Sequence, residues 1–298
     1  MNIASLLGLG QTALELGLIC SLTVLALFLS YSMLNVCDLS TDGCFTLGAA
    51  VGAVVAISGH PWLAIAAAMT AGVCSGFVTA LLQTRMGVDS LLAGIIVNTG
   101  LYSVNIFVMG GAAQLNLNKT TTVFTIAKDL LAGTPLAGQY KLVVAGVAVA
   151  LVVGFLTFFL NTRMGLSIRA TGDNPDMVRA SSINTSFTVT IGLCLSNSLT
   201  ALSGAVLAQY QRTADINLGT GMVIIGLASL IIGETLMPKG KMWMKVLGAI
   251  AGSIVYRFII AIALRLDLPS ESLKLISAVI VALAIGLPAM KAAKKGGN

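Results

Sequence analysis

Few residues in this chain could do chemistry, and those few are not arranged for catalysis. The single histidine, His60, stands before Pro61 at a turn. There is no GxxxxGK[ST] run to cradle nucleotide phosphates, and no HExxH or GxSxG run. The carboxylates are not paired within one apolar run, as an intramembrane aspartyl protease requires. The five cysteines (Cys20, Cys37, Cys44, Cys74 and Cys194) show no CxxC spacing and mostly fall in apolar runs. They read as small buried residues, not as a disulfide or metal set. No catalytic residue, metal ligand or bound cofactor is expected, and the chain is read as a non-enzyme. What remains is a sparse set of polar groups placed where polarity is costly.

Asp38 and Asp42 flank Leu39-Ser40-Thr41 between two apolar runs, with no basic residue nearby. The pattern fits a break in a helix at membrane depth, with Asp42-Gly43 capping a half-helix that starts near Cys44. Irregular backbone at that depth is tolerated only where it is buried or lines a water-filled cavity. Asp38, Ser40, Asp42 and Gly43 are therefore expected along a translocation pathway. Asn98 and Asn105 are seven residues apart and share a helix face. Ser196 and Asn197, followed by Ser198, interrupt another apolar run. These four are assigned to the same pathway, with hydrogen bonding between helices as the other explanation. Glu234 and Arg257 lie within apolar runs, and an intramembrane ion pair between them accounts for both.

The longest polar interruption is Asn161 to Thr185. It carries Arg163, Arg169 and Arg179 with Asp173 and Asp176. Asn174 is a good N-cap, Pro175 at the first helical position forfeits no needed donor, and Asp176 meets the positive end of the helix dipole. A short helix over about Pro175 to Ser182 is predicted. It is too short to span anything, and two readings stay open: a docking element or a solvated loop.

The elements that position these groups follow from composition. Of 298 residues 57% are hydrophobic and 9% are charged, with a mean hydropathy of +0.96. Soluble domains carry about 25% charged residues, so the chain is a polytopic membrane protein. Its apolar runs are continuous and of helix length, not the alternating short strands of a membrane barrel. The fold expected is all-α, one domain over 1–298, with about 8–10 transmembrane helices and at least one interrupted. Nine windows can be drawn: 16–34, 44–59, 61–82, 90–110, 142–161, 187–210, 220–236, 246–264 and 275–290. Those at 44–59 and 220–236 are short enough to be half-spans. The first basic residue is Arg85, so the first run lacks the basic flank of a signal peptide and is read as a retained span.

Orientation comes from Lys and Arg. Placing the C-terminal Lys291, Lys294 and Lys295 in the cytoplasm also places Lys239, Lys241 and Lys245, the loop at about 162–186, and Arg85 there. Gln83-Thr84-Arg85-Met86-Gly87 is echoed by Asn161-Thr162-Arg163-Met164-Gly165, which supports a common face. Arginines at such span ends can snorkel to lipid phosphates. The largest outer loop is about 111–141, with a short surface helix over Phe124 to Leu131. The pairs Gly48/Gly52, Gly72/Gly76 and Gly248/Gly252 mark close helix packing, within the chain or across a dimer. Basic residues dispersed at span ends give no support to nucleic-acid binding.

Leu166 to Pro175, with Ala180 and Ile183-Asn184, resembles the cytoplasmic coupling segment of ABC-importer permeases of the branched-chain amino acid and simple-sugar group. The likeness continues through Leu199 to Gly204 and Ile224 to Gly233, and Asp38-Leu39-Ser40 with Gly43 resembles that group's interrupted helix. Within it, residues 35–51, 91–111, 201–221 and 266–275 are most similar to permeases of tryptophan/tyrosine-type importers. The resemblance implies a permease subunit in the cell membrane that moves a small solute, an amino acid and in particular an aromatic one, by alternating access. It implies three protein partners: an extracytoplasmic substrate-binding protein, a second permease chain as a homodimer, and a separate ATP-binding subunit holding ATP and Mg. Gly172, Asp173, Asn174, Pro175, Asp176, Met177, Arg179 and Ala180 would then form the contact with that ATPase. The alternative is a secondary transporter or channel that works without an ATPase, with Asp38, Asp42 or Glu234 as coupling carboxylates.

Overall fold

The computed structural model describes residues 3–133, 137–237 and 242–265, and residue 279. The described residues form eleven α-helices and one two-stranded sheet. The long apolar helices are α1 (Ile3–Leu27), α3 (Pro61–Thr84), α4 (Ser90–Val108), α6 (Tyr140–Leu160), α9 (Thr185–Gln211) and α11 (Met242–Arg265). These six are long and apolar enough to cross a membrane, whereas α2 (Thr41–Ile57) and α10 (Met222–Leu236) are shorter. The eight windows up to residue 264 each coincide with one of these helices. The ninth, 275–290, lies outside the described residues, as do Lys239, Lys241 and the C-terminal lysines. Three polar helices complete the set: α5 (Val123–Leu130), α7 (Arg163–Asp173) and α8 (Pro175–Ala180).

The fold is organised around α9, and small residues decide what packs there. A Cβ on Gly48 or Gly204 would overlap the facing carbonyl of Ala201 or Phe45, so α2 and α9 touch backbone to backbone. Gly48 faces Ala201 and Gly52 faces Ala205, which makes these two helices parallel. Gly72 faces Asn197 and Ala201 while Gly76 faces Leu193, so α3 is antiparallel to α9. Gly233, Gly248 and Gly252 seam α10 to α11 in the same way. All three glycine pairs are thus used inside the chain. With no hydrophobic drive between helices in lipid, such close approach supplies the packing energy. Ser196 and Ser203 of α9 donate to the Ala26 and Ile19 carbonyls of α1 at 2.8 and 2.9 Å, fixing α1 antiparallel to α9.

α1 begins well before its predicted window. Glu15, one residue before that window, is buried in the helix, with Tyr210 donating to it at 2.8 Å and Gln11 at 3.0 Å. The last turn of α1 widens to a π-helix over Phe28–Met33, and Asn35 in the left-handed region (φ 56°) ends it.

Both short helices start inside the bundle. The register of α2 on α9 sets Thr41 level with Cys194, about nine residues or 14 Å beyond the start of α9. The chain reaches that depth through 34–40, returning from the end of α1. At the other end, β2 (Thr213–Asp215) pairs antiparallel with β1 (Gln114–Asn116), and residues 216–221 then descend beside α2. Gly219 fits against the Asp42 carbonyl, and α10 starts level with Asp42. Two half-helices therefore begin at the same depth. The α1 and α3 ends, the α9 start, α7 and α8 share one face of the bundle; the strand pair and α5 share the other. α5 realises the expected surface helix, closed by a capping box between Thr122 and Thr125.

Candidate functional site

The polar stretch after α6 folds as two helices that share one cap residue. Thr162 caps α7 by accepting from Gly165 N at 3.3 Å. Gly165 lies so close to the Phe159 and Leu160 backbone that a Cβ would overlap it. Asn174 ends α7 and caps α8, its Oδ1 accepting from Asp176 N at 3.1 Å and Met177 N at 3.0 Å. Pro175 takes the first helical position, as predicted. Val178 is the buried anchor of α8. Arg179 ties its other end down, with Nη1 3.3 Å from Asp176 Oδ1 and Nε donating to Thr185 Oγ1 at 3.3 Å. Ser182, at φ 59°, then turns the chain into α9.

The coupling residues named from sequence divide by this geometry. Asp173, Asn174, Pro175, Asp176, Met177, Arg179 and Ala180 are exposed, with Met177 presenting 61% of its surface. Gly172 instead faces inward against the Met33 carbonyl and Leu34, where no side chain fits. Thr171 Oγ1 adds a 2.9 Å hydrogen bond to Thr188 of α9. α7 is thus a stiff link between the end of α1 and the exposed helix α8. It was not foreseen, although Thr162 at the cap and Gly165, Ile168 and Thr171 on one face give a helical signal.

The break at 34–40 is filled with hydrogen bonds. Asn197 Nδ2 donates to Asp38 Oδ2 at 2.7 Å, and Ser40 N donates to Asp38 Oδ1 at 2.8 Å. Thr41 Oγ1 donates to the Asp38 carbonyl, and Ser40 Oγ and Thr79 extend the chain of contacts to α3. Asp38, Ser40, Ser196 and Asn197 are all buried, and their partners are this chain's own atoms. Each of the four is thus tied by hydrogen bonds to other groups of this chain. An irregular segment buried among helices needs its polar groups met internally, and these side chains meet them. Asn98 and Asn105 do share a face, and both converge on Gly43: Asn105 Nδ2 donates to its carbonyl at 3.1 Å, and a Cβ on Gly43 would come 2.6 Å from Asn98 Oδ1.

Asp42 differs from its expected role. It lies in the first turn of α2 but caps another helix: Oδ2 accepts from Gly221 N and Oδ1 from Val223 N, each at 2.8 Å. The turn over 217–221, with Gly221 in the left-handed region, aims those N–H groups at it. Sequence spacing gives no hint of a cap supplied 179 residues away.

Residues 11–288 match the family described as the branched-chain amino acid transport system permease component. The chain belongs to this family of ABC transporter permeases. It is 34% identical to a tyrosine transport system permease protein of Clostridioides difficile (strain R20291), over 89% of this chain and 86% of that one. It is 26% identical to a ribose import permease protein of Escherichia coli K12, over 83% and 75%. A nucleoside ABC transporter permease protein of Lactococcus lactis is 24% identical over 67% of both chains. No solved structure matches. The permease is a multi-pass membrane protein by family and by its apolar helices.

One expectation about the permease is corrected. Glu234 and Arg257 do not pair. The glycine seam sets Gly233 beside Gly248 and Ser229 beside Gly252, so Arg257 stands level with residue 224, about ten residues or 15 Å from Glu234 along the hairpin. Glu234 accepts instead from Ser32 Oγ, and Arg257 Nη2 donates to Cys20 Sγ at 2.7 Å. Among the described residues, Asp176–Arg179 is the one ion pair.

Proposed function

We propose that this permease is the membrane subunit of an ATP-driven importer of an amino acid, with aromatic amino acids as the first substrates to test. The tyrosine permease relative supports that substrate class. In this reading two copies form the translocating unit in the cell membrane. A binding protein delivers solute to the face with the strand pair and α5. A separate ATPase, holding ATP and Mg, docks under the face with α8, and the C-terminus lies in the cytoplasm.

The observation that carries the reading is the build of α8. Five of its six residues are exposed, one buried side chain and a doubly used cap hold it, and α7 joins it rigidly to the break through Gly172. A partner pushing on α8 moves α7 and, with it, the Met33–Leu34 end of α1. The two half-helix starts meeting at Asp42 are then the point where such a displacement alters the bundle. The test is reconstitution of the permease with its ATPase and binding protein in vesicles. Tyrosine or tryptophan uptake is expected to require ATP. Met177→Asp is expected to lower uptake at least tenfold while the chain inserts normally and ATP is still hydrolysed. ATP-independent, gradient-driven uptake by the permease alone would refute the assignment, and uptake of ribose or nucleosides but not amino acids would refute the substrate class.

A further inference from the structure

Where α3 ends and α9 begins, the two helices enclose a cleft of about 640 Å³ that opens on the outside of the bundle. Its wall is Phe77, Leu81 and Phe187, with the polar groups of Thr84, Arg85 and Asn184 at the rim. Gly72 and Gly76 hold α3 against α9 backbone to backbone, and the buried Thr79 and Ala80 continue that packed side while Phe77 and Leu81 lie off it. Phe77 and Arg85 are eight positions apart, so the cleft runs about 12 Å along the helix axis. All three apolar wall residues are exposed. Arg85 is exposed too, and its guanidinium makes no ion pair or hydrogen bond among the described residues.

We infer that this cleft binds one phospholipid, its phosphate on Arg85 and an acyl chain along Phe77, Leu81 and Phe187. Polarity is ordered as in that ligand: a cation and hydroxyl-bearing rim at the helix ends, where a membrane surface lies, and an apolar wall leading inward. The Arg guanidinium presents a fork that matches phosphate, and the wall is long enough for the first several carbons of a chain. A free phosphate has no use for the wall, and a purely apolar ligand has none for Arg85. The lipid would rest on Asn184, the cap of α9, four residues beyond α8. It would thus brace the α8–α9 turn.

The test uses the full chain in detergent, with dioleoylphosphatidylglycerol as the probe and native mass spectrometry as the readout. The wild type is expected to retain one lipid per chain. Arg85→Gln is expected to lower retention about tenfold, the worth of one charge-assisted contact. Thr190→Trp, which fills the cleft and leaves Arg85 in place, is expected to lower it as well. Lys119→Gln, an equal charge change on the opposite face, is expected to leave it unchanged. Equal retention by Arg85→Gln and wild type overturns the inference. So does competition by inorganic phosphate with no effect of Thr190→Trp, or a Phe187→Cys disulfide between two chains, which would make the cleft a contact between copies. Should Thr190→Trp fail to fold, Arg85→Gln against Lys119→Gln decides alone.

Discussion

The break at 34–40 and the helix α8 are the two places where polar residues crowd an apolar chain, and they treat those residues in opposite ways. In the break, the Asp38 carboxylate is consumed by Asn197 and Ser40, and Asp42 by the start of α10. In α8 the cap is satisfied, and the remaining side chains face outward. Burial explains the contrast. A polar atom away from water must find a partner inside the protein, so the membrane-level groups act as joints between helices. On α8 water satisfies what the protein does not, and the groups stay available to a partner. Polarity within the span therefore joins helices here, and polarity on the exposed helix faces outward.

The contrast is tested most severely where the construction is tightest. Gly204→Val is expected to be the most damaging change, because its side chain would enter the Phe45 carbonyl and part α2 from α9. Overpacking of this kind costs about 3 kcal/mol or more. The protein should be lost from the monodisperse fraction after extraction, and a Gly204→Val chain with wild-type thermal unfolding would show that α2 and α9 do not touch as described.

Asp42 comes next. Asp42→Ala strips two N–H groups at the start of α10 of their acceptor, at roughly 1–3 kcal/mol for each buried donor left unmet. Asp42→Asn keeps one acceptor oxygen and should cost about half as much. The order Ala below Asn below wild type in thermal stability, with faster hydrogen exchange at Val223, is the expected pattern. Equal effects of Ala and Asn would mean that charge, not capping, is what Asp42 contributes.

Helix existence was legible in the sequence because long apolar runs must be helices in a membrane, and the windows found them. The α8 cap was legible because Asn174-Pro175-Asp176 is a local code. The family likeness rested on that segment together with others along most of the chain, such as 35–51 and 91–111. What could not be read were links between distant residues. The buried Glu15 meets Tyr210, which sits at the far end of α9. Glu234 and Arg257 looked like a pair because each lacked a visible partner nearby, whereas the glycine seam sets them apart. The trans cap by Asp42 requires the descent of 216–221, which no spacing encodes. Local chemistry is written locally; the joints of the bundle are not.

Asn174→Ala is expected to have a smaller effect, about 1 kcal/mol for a lost N-cap. It should separate the two regions, since α8 frays while the bundle stays intact. Global unfolding should shift little, and uptake by the reconstituted importer should fall several-fold. A parallel loss of extraction yield would mean instead that α8 helps hold the bundle together.

Asp176→Ala is expected to perturb stability least. Its partner Arg179 is well exposed, so the ion pair contributes only a few tenths of a kcal/mol in water and salt. Its place in the first turn adds a similar small favourable term with the helix dipole. Thermal unfolding should therefore stay within about 0.5 kcal/mol of wild type. Uptake is expected to drop several-fold all the same, because removing the carboxylate both changes the exposed surface and frees Arg179 to swing away from the helix. Restoring the charge as Asp176→Glu should recover uptake if the carboxylate meets a basic group on the ATPase. If Asp176→Ala and Asp176→Glu both transport like wild type, the contact face narrows to Met177 and its neighbours Asp173 and Ala180.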